Sequence, residues 1–245
     1  MVTWRRRSYT GVMMTQAQIL TQALIFDVDG TLAETEDCHR RAFNQTFAEF
    51  GLKWQWDPPL YGALLKVSGG KERMRAFWHR HPHAVPADAL DELIAGMHRR
   101  KTEIYTQWVA SGAVALRPGI ARLIAEARAA GLRLAIATTT TRANVMALMA
   151  GTGLNPAWFE TMACSDDAPV KKPAPLVYAL VLSRLGLAAP LCLAIEDSSN
   201  GVRAAQAAGI PVVMSPSAFT QGDNPAGAKA VWPDFGGVSL AMLVG

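Results

Sequence analysis

The sequence has few cysteines, and their spacing argues against two kinds of fold. Only three occur among 245 residues, and they lie far apart at Cys38, Cys164 and Cys192. An odd number of cysteines without a CxxC pair argues against a disulfide framework and against a zinc site. We therefore expect three reduced thiols, as in cytoplasmic proteins.

Long apolar runs and a strong charge excess are also missing. No run of about 18 apolar residues is present, so we predict no membrane span. The net charge of +4 is too small to indicate nucleic-acid binding, but it suits small anionic substrates. Half of the residues are apolar and 18% are charged, which predicts a sizeable core and excludes a disordered chain. We expect a cytoplasmic monomer or weak dimer.

The first 22 residues differ in character from the rest. They contain an arginine triplet at positions 5–7 and no continuous apolar segment of the kind that a secretory signal requires. We interpret residues 1–22 as a disordered N-terminal extension, or as an upstream extension of a chain whose natural start is Met13 or Met14. We expect this segment to lie outside the folded domains.

Four short apolar runs predict the strands of a parallel sheet. They are nearly continuous rather than alternating, which is typical of strands buried on both faces. The runs cover residues 23–28, 132–139, 191–197 and 210–215. Helical patterns lie among them at 119–131, 142–153, 173–186 and 199–209. Gly131, Gly186 and Gly209 stand where helix C-caps belong. This alternation predicts an α/β fold with a doubly wound parallel sheet.

One interval has helical patterns only and no strand-like run. It extends from about residue 39 to 110, and its predicted helices cover residues 38–51, 70–81 and 89–112. We interpret residues 39–111 as an inserted helical cap domain. The α/β core domain then comprises residues 23–38 and 112–245.

Chemically capable residues cluster where the predicted strands end. The residues at or just after the ends of the first three strand patterns are Asp27, Asp29, Thr138, Thr139, Thr140, Glu196 and Asp197. Lys172 stands just before a predicted helix. Ligands of open α/β sheets lie outside the carboxyl ends of the strands, so we expect these groups to converge at one edge.

Four carboxylates at one edge require compensating positive charge. Two like charges 4 Å apart repel each other by about 4 kcal/mol at an effective dielectric constant of 20. A hard divalent ion such as Mg²⁺ with oxygen ligands, together with the ammonium group of Lys172, supplies that charge. Such a site suits a transferring phosphoryl group. One aspartate can attack phosphorus while its neighbour two residues away acts as acid and base.

The order of these motifs resembles that of the haloacid dehalogenase superfamily of phosphatases. The resemblance covers nearly everything after residue 22, including the helical insert after the first motif. It implies that Asp27 in "DVDGT" is the nucleophile and that Asp29 is the acid/base. It further implies catalytic roles for Thr138 and Lys172. It implies an Mg²⁺ site whose ligands come from Asp27, Asp29, Glu196 and Asp197, with Asp197 the direct ligand of the last pair.

Two stretches resemble one group within that superfamily, the CbbY proteins. These stretches are "DVDGTLAETEDCHRRAFNQTF" and "SGGKERM". The resemblance implies hydrolysis of a sugar bisphosphate, xylulose 1,5-bisphosphate, through an aspartyl-phosphate. It implies substrate contacts from the first cap helix, by Glu36, His39 and Arg40 or Arg41. It also implies a grip on the distal phosphate by Lys71 with Arg73 or Arg75. We expect Thr139 and Thr140 to bind phosphate oxygens.

Other interpretations of these motifs remain open at the level of sequence. A β-phosphoglucomutase-like mutase uses the same intermediate, and a phosphoglycolate-type phosphatase uses the same core motifs. A non-catalytic sensor of a phosphorylated ligand is disfavoured because it does not need the acid/base aspartate. "SGGKER" lacks the spacing of a P-loop, and "HRHPH" (79–83) does not suit a metal site. We expect at most one of Asp166 and Asp167 to touch the water shell of the metal.

Overall fold

The structure is a computed structural model that describes residues 21–81, 89–225 and 227–245. The predictions made for residues 1–20, including a start at Met13 or Met14, lie outside the described residues. The same holds for Pro82 and His83 of the "HRHPH" segment.

A parallel sheet of five strands lies at the centre of the described chain, in the order β3-β2-β1-β4-β5. Every neighbouring pair of strands is parallel. The strands are β1 (Ala23–Phe26), β2 (Arg133–Ala137), β3 (Thr161–Ala163), β4 (Cys192–Glu196) and β5 (Val212–Met214). The central position of β1 explains why its residues are fully buried.

Helices cover both faces of this sheet. They are α5 (Ile120–Ala129), α6 (Arg142–Thr152), α7 (Leu176–Leu185), α8 (Ser199–Ala207) and α9 (Leu240–Val244). Successive residues of β1 enter different cores: Leu24 and Phe26 join one apolar cluster, whereas Ala23 and Ile25 join the other. The predicted doubly wound α/β fold is therefore confirmed.

The predicted strands are longer than the observed ones at their carboxyl ends. β1 ends at Phe26 and β2 at Ala137 because the polar residues that follow leave the strand and form the site. The prediction missed β3, a three-residue strand too short to show an apolar run. Gly131, Gly186 and Gly209 adopt positive φ at the ends of their helices, as predicted.

A block of helices joins the core between β1 and β2. It contains α1 (Glu36–Glu49), α2 (Pro58–Leu64), α3 (Gly70–Arg80) and α4 (Leu90–Ala110). The block has an aromatic core of its own, which includes Phe43, Phe47, Trp54, Trp56 and Tyr61. Three of these helices follow the predicted patterns, and α2 was not predicted. The domain boundaries proposed from the sequence, at residues 39 and 111, stay a prediction.

The two linkers that connect the core to the helical block lie side by side. Ala33 on the outgoing linker forms an antiparallel bridge with Leu116 on the return linker. Arg117 N then donates to Leu32 O at 2.8 Å. Among the described residues, no helix is long and apolar enough to cross a membrane.

Candidate active site

A cavity of about 1060 Å³ lies between the carboxyl edge of the sheet and the helical block. The core contributes residues from the segments after β1, β2 and β4, and the block contributes residues from α1, α3 and α4. The predicted convergence of strand ends is therefore observed. Backbone hydrogen bonds continue just past the strands, as from Asp27 N to Ile195 O at 3.0 Å, and they fix the first polar residues.

Lys172 connects two of the carboxylates. Its Nζ lies 2.7 Å from Asp27 Oδ1 and 2.6 Å from Glu196 Oε1, and it donates to Ala137 O at 2.9 Å. These three acceptors satisfy all three hydrogens of an ammonium group. Burial alone would lower the pKa of Lys172, but the charges of Asp27 and Glu196 raise it well above its usual value. Lys172 is therefore a fixed positive charge.

Tyr178 forms a second hydrogen bond to the carboxylate of Glu196. Its hydroxyl on α7 donates to Glu196 Oε1 at 2.5 Å, so this oxygen receives two hydrogen bonds. Burial, with the charge of Glu196, raises the pKa of Tyr178, and the phenol therefore remains a donor. Tyr178 was missed by sequence reasoning because it lies within a continuous apolar helix pattern.

The acidic group at the sheet edge consists of Asp27, Glu196 and Asp197. One carboxylate oxygen from each lies within 4.8 Å of the others, and all three residues are buried. Burial raises the pKa of Asp27 to about 7, against the opposing charge of Lys172. Burial and the charge of Asp27 also raise the pKa of Asp197. The single ammonium group is thus insufficient to stabilise three negative charges.

This group fits a hard divalent cation. All its donor atoms are oxygens, which Mg²⁺ prefers. Glu196 Oε2 is buried and has no hydrogen-bond partner within the described part of the chain. A buried, unpartnered carboxylate oxygen is costly unless a cation or water satisfies it.

Residues after β5 hold Asp197 in place. Thr220 Oγ1 donates to Asp197 O at 2.7 Å and lies 3.2 Å from Asp197 Oδ2. Ser217 Oγ lies 2.9 Å from Thr220 Oγ1. Neither hydroxyl was predicted. The signal was available, since "SPSAFT" follows a predicted strand as the other site residues do.

Gly30 brings the loop after β1 against Asp197. A Cβ atom at this position would lie 2.2 Å from Asp197 Oδ2, and the backbone has φ +80°. Glycine is therefore required at position 30 for two reasons, the left-handed backbone and the close approach to Asp197.

Asp29 does not join the acidic group. Its Oδ1 accepts a hydrogen bond from Thr35 Oγ1 at 2.6 Å and lies 3.1 Å from His39 Nε2. Burial would raise the pKa of Asp29, but His39, Thr35 and the charge of Lys101 together hold it below its ordinary value. The structure thus places the side chain of Asp29 apart from the other predicted metal ligands, because two neighbours on the cap side bind it.

His39 continues to a buried lysine on α4. Lys101 Nζ lies 2.5 Å from His39 Nδ1, and the imidazole stacks on Tyr105 with ring centroids 3.8 Å apart. Burial lowers the pKa of Lys101 to about 8. Burial and the nearby charge of Lys101 together lower the pKa of His39. Lys101 was missed, although a lysine in the apolar stripe of Met97, Ile104 and Tyr105 is a recognisable signal.

The threonine run after β2 lines the cavity as predicted for Thr138, Thr139 and Thr140. Thr140 N donates to Thr138 Oγ1 at 3.2 Å, and Thr140 Oγ1 accepts from Asn144 Nδ2 at 2.8 Å. Thr141 caps α6 by accepting from Asn144 N. A helix N-terminus of this kind attracts anions.

Glu36 and Arg73 are linked through a tyrosine on the cap side of the cavity. Tyr61 Oη donates to Glu36 Oε2 at 2.7 Å and accepts from Arg73 at 3.0 Å. Arg73 is buried and also donates to Leu64 O and Val67 O. Both predicted residues line the cavity, and Tyr61 is the connection that the sequence did not reveal.

The remaining predicted basic residues divide between the cavity and the surface. Lys71 is exposed and lines the cavity. Arg40 does not line it, because its guanidinium group donates to Asp37 Oδ1 at 2.9 Å and to Trp56 O at 3.0 Å. The alternatives Arg41 and Arg75 are also placed elsewhere, over the Trp108 ring and beside Asp91 respectively.

The two additional acids after β3 have separate positions. Asp167 pairs with Arg184 at 2.7 Å and with Arg142 at 3.1 Å, away from the acidic group. Asp166 lines the cavity and accepts a hydrogen bond from Arg142 N at 2.7 Å. Neither belongs to the cluster of Asp27, Glu196 and Asp197.

Comparison with known proteins identifies a family and similar structures. The haloacid dehalogenase-like hydrolase family matches residues 21–209. The plasmid-encoded protein CbbY of Cupriavidus necator is 55% identical over 219 residues, which are 88% of this chain and 86% of that protein.

Two crystal structures of CbbY from Rhodobacter sphaeroides are similar to this chain with TM-scores of 0.85. Each covers 91% of this chain and 99% of its own. The structure in complex with phosphate is 47% identical. The second, an aspartate-to-asparagine mutant in complex with xylulose-(1,5)bisphosphate, is 46% identical.

Proposed function

Since the chain belongs to the haloacid dehalogenase-like hydrolase family and is a phosphatase, we propose that it hydrolyses a sugar bisphosphate in an Mg²⁺-dependent reaction. The observation that carries this proposal is the position of Lys172. Its ammonium group contacts Asp27 and Glu196 within one buried acidic group. This arrangement provides a nucleophile, a fixed positive charge and oxygen ligands in one place.

Asp27, Glu196 and Asp197 would hold Mg²⁺. When bound, the ion neutralises charge on the transferring phosphoryl group. The chain itself keeps these carboxylates at the sheet edge through Lys172, Tyr178 and Thr220.

Asp27 is the proposed nucleophile. Lys172 at 2.7 Å favours its ionised form, which is the form that attacks. A carboxylate oxygen of Asp27 forms a bond to phosphorus while the bond from phosphorus to the sugar oxygen breaks. The product of this step is an aspartyl-phosphate, and the sugar leaves with a proton taken from an acid.

Asp29 is the proposed source of that proton, which its carboxylate, ionised in the free protein, gains when the anionic substrate binds. It lies two residues from the nucleophile, and Thr35 and His39 hold its carboxyl group in the cavity. After the sugar leaves, Asp29 takes a proton from water as the water attacks phosphorus. The bond from phosphorus to Asp27 then breaks, which releases phosphate and restores the carboxylate.

The cavity has a second cationic region opposite the acidic group. Lys71, Arg73 and Lys101 line it from the helical block. We assign the distal phosphate of the substrate to Lys71 and Arg73, because a guanidinium fork and an ammonium group both bind phosphate oxygens. The contact to the sugar comes from Glu36, because Lys101 and Asp29 engage both ring nitrogens of His39.

The threonines complete the substrate site. Thr138, Thr139 and Thr140 offer hydroxyl and backbone groups at the core side of the cavity. The most specific proposal is xylulose 1,5-bisphosphate, which is supported by the 46%-identical CbbY mutant in complex with that sugar. Arg40 is left out of the proposed site because it does not line the cavity.

Phosphate release from a panel of sugar phosphates tests this function. The panel contains xylulose 1,5-bisphosphate, other pentose and hexose bisphosphates, hexose 1-phosphates and phosphoglycolate. We expect the highest kcat/KM for xylulose 1,5-bisphosphate, no activity when Mg²⁺ is chelated, and no activity in Asp27→Asn.

Each alternative predicts a distinct result in the same panel. Isomerisation of a hexose 1-phosphate without release of phosphate would identify a mutase. A kcat/KM for phosphoglycolate equal to that for the bisphosphate would contradict the distal phosphate site. Binding of bisphosphates without turnover would indicate a sensor.

A further inference from the structure

Arg117 is a buried arginine on the return linker, directly where the chain re-enters the core. Its side chain is 5% exposed. Its two terminal nitrogens donate to four backbone carbonyl oxygens, those of Gly30, Ser215, Pro216 and Pro233. These four acceptors belong to three loops that are distant in the sequence.

Two of these loops contact Asp197, one of the proposed Mg²⁺ ligands. Gly30 directly follows Asp29 and packs against Asp197 Oδ2. Ser215 and Pro216 precede Ser217, whose loop holds Asp197 through Thr220. Arg117 therefore joins the loop of the proposed nucleophile to the loop that positions Asp197.

The outgoing linker is tied to the same guanidinium group. Arg117 Nε lies 3.1 Å from Glu34 Oε1. Glu34 Oε2 in turn accepts a hydrogen bond from Ala218 N at 3.3 Å. Both linkers of the helical block and the loop after β5 thus meet at one side chain.

Arginine suits this position for a geometric reason. A guanidinium group is planar and carries five N–H donors in a rigid fork, whereas lysine carries three donors on one atom. A lysine at position 117 retains the charge but cannot satisfy four carbonyl oxygens and a carboxylate in three directions. The cavity lining does not include Arg117, so its effect on substrate is indirect.

We propose that Arg117 is a positioning residue that fixes the spacing between the Asp27–Asp29 loop and Asp197, and thereby sets the affinity of the acidic group for Mg²⁺. This inference rests on the proposed function, in which these carboxylates hold the ion. Groups that orient metal ligands commonly change metal affinity 10- to 100-fold when they are substituted.

The chain offers a matched control in Arg122. Its guanidinium group also donates to three carbonyl oxygens, those of Phe235, Gly236 and Val238, and pairs with Glu126 at 2.6 Å. It resembles Arg117 in chemistry, but it contacts neither the loop after β1 nor the loop that holds Asp197.

The experiment compares Mg²⁺ binding to the wild type, Arg117→Lys and Arg122→Lys by isothermal titration calorimetry. Thermal unfolding is followed for each protein without the ion. We expect Arg117→Lys to weaken Mg²⁺ binding about tenfold and Arg122→Lys to leave it unchanged. In steady-state assays, Arg117→Lys should need about tenfold more Mg²⁺ for half-maximal rate, with KM for the sugar phosphate unchanged.

Glu34→Gln keeps the test decisive if Arg117→Lys does not fold. This variant removes the charge of one partner of Arg117 at a partly exposed site, and we expect Mg²⁺ binding to weaken by about twofold to threefold. If Arg117→Lys folds, an unchanged Mg²⁺ affinity in that variant would overturn the inference. If it does not fold, an unchanged Mg²⁺ affinity in Glu34→Gln would overturn it. Equal weakening by Arg122→Lys would also overturn it. Absence of Mg²⁺ binding by the wild type would instead overturn the proposed function.

Discussion

The ammonium group of Lys101 lies 2.5 Å from Nδ1 of His39, and the other ring nitrogen, Nε2, lies 3.1 Å from Asp29 Oδ1. An ammonium group has donors only, so Nδ1 accepts from Lys101 and Nε2 carries the proton that it donates to Asp29. A residue of the helical block therefore selects the tautomer of a histidine that contacts the proposed acid/base. The position of Lys101 on α4 therefore affects the protonation of His39 and, through it, the environment of Asp29.

Lys101→Met should reduce turnover by removing the group that fixes this tautomer. General acid-base catalysis contributes about 10²- to 10⁴-fold, and Lys101 acts one contact away from Asp29, so we expect kcat to fall about tenfold. Lys101→Arg should recover part of the loss because it restores a cationic donor. Steady-state kinetics with a sugar bisphosphate measure both effects.

Arg100→Met is the control for this prediction. Arg100 neighbours Lys101 on the same helix but forms a surface ion pair with Glu49. We expect its kcat to match that of the wild type. A kcat of Lys101→Met that equals the wild-type value would contradict the tautomer assignment.

We predict that His98 makes the stability of the protein sensitive to acid. Burial, with the charges of Lys101 and Lys71, lowers the pKa of His98 from 6.5 to about 3. The unfolded chain therefore binds this proton more readily, and the free energy of unfolding falls as the pH drops from about 6.5 towards 3. Between pH 7 and pH 5 this group accounts for a loss of about 2 kcal/mol.

His98→Gln should remove that part of the acid sensitivity. Urea unfolding at pH 7 and pH 5 measures the difference in the free energy of unfolding for each protein. The exposed His79 supplies the control variant His79→Gln, whose difference should equal that of the wild type. An unchanged difference in His98→Gln would show that the ring is charged in the folded protein.

Gly30→Ala should impair Mg²⁺ binding more than it impairs stability. The added Cβ would lie 2.2 Å from Asp197 Oδ2, and it therefore displaces a proposed metal ligand. We expect Mg²⁺ affinity to fall at least about tenfold, comparable with other disturbances of metal-ligand orientation. Calorimetric titration with Mg²⁺ gives the affinity.

Gly153→Ala separates this steric effect from backbone strain. Gly153 has φ +75°, close to the +80° of Gly30, but an added Cβ meets no atom within 4 Å. Both variants should lose about 1–2 kcal/mol of stability from the left-handed backbone. Weakened Mg²⁺ binding in Gly153→Ala as well would assign the effect to strain rather than to the contact with Asp197.

Lys71→Ala tests the distal phosphate site. Lys71 lines the cavity from α3, and its removal should raise KM for a sugar bisphosphate about tenfold while changing KM for a monophosphate by less than about twofold. Lys53→Ala, at an exposed position outside the cavity lining, is the matched control. An equal rise in KM for both substrates would place the distal phosphate elsewhere.

The sequence predicted the core of the site because each residue type follows a strand. Asp27, Thr138 and Glu196 stand at or just beyond strand ends, and parallel strands align such positions at one edge. The fold followed from the same apolar runs. β3 escaped prediction because three residues carry too little periodicity.

Contacts between distant segments could not be predicted. Lys101 and Tyr178 reach the site from helices whose patterns are otherwise apolar, and only tertiary packing shows that each meets a polar partner. Arg40 was expected at the substrate because it lies on the first cap helix. The helix instead directs it towards Asp37 and Trp56, whose carboxylate and backbone carbonyl oxygens accept its hydrogen bonds.

Trapping of the covalent intermediate tests the central claim most directly. The enzyme is mixed with Mg²⁺ and xylulose 1,5-bisphosphate, quenched within one turnover and reduced with borohydride, and its peptides are sequenced by mass spectrometry. We predict reduction of the Asp27 side chain to homoserine, dependent on both substrate and Mg²⁺. Modification of another residue, or turnover without any modified peptide, would contradict a mechanism in which Asp27 carries the phosphoryl group.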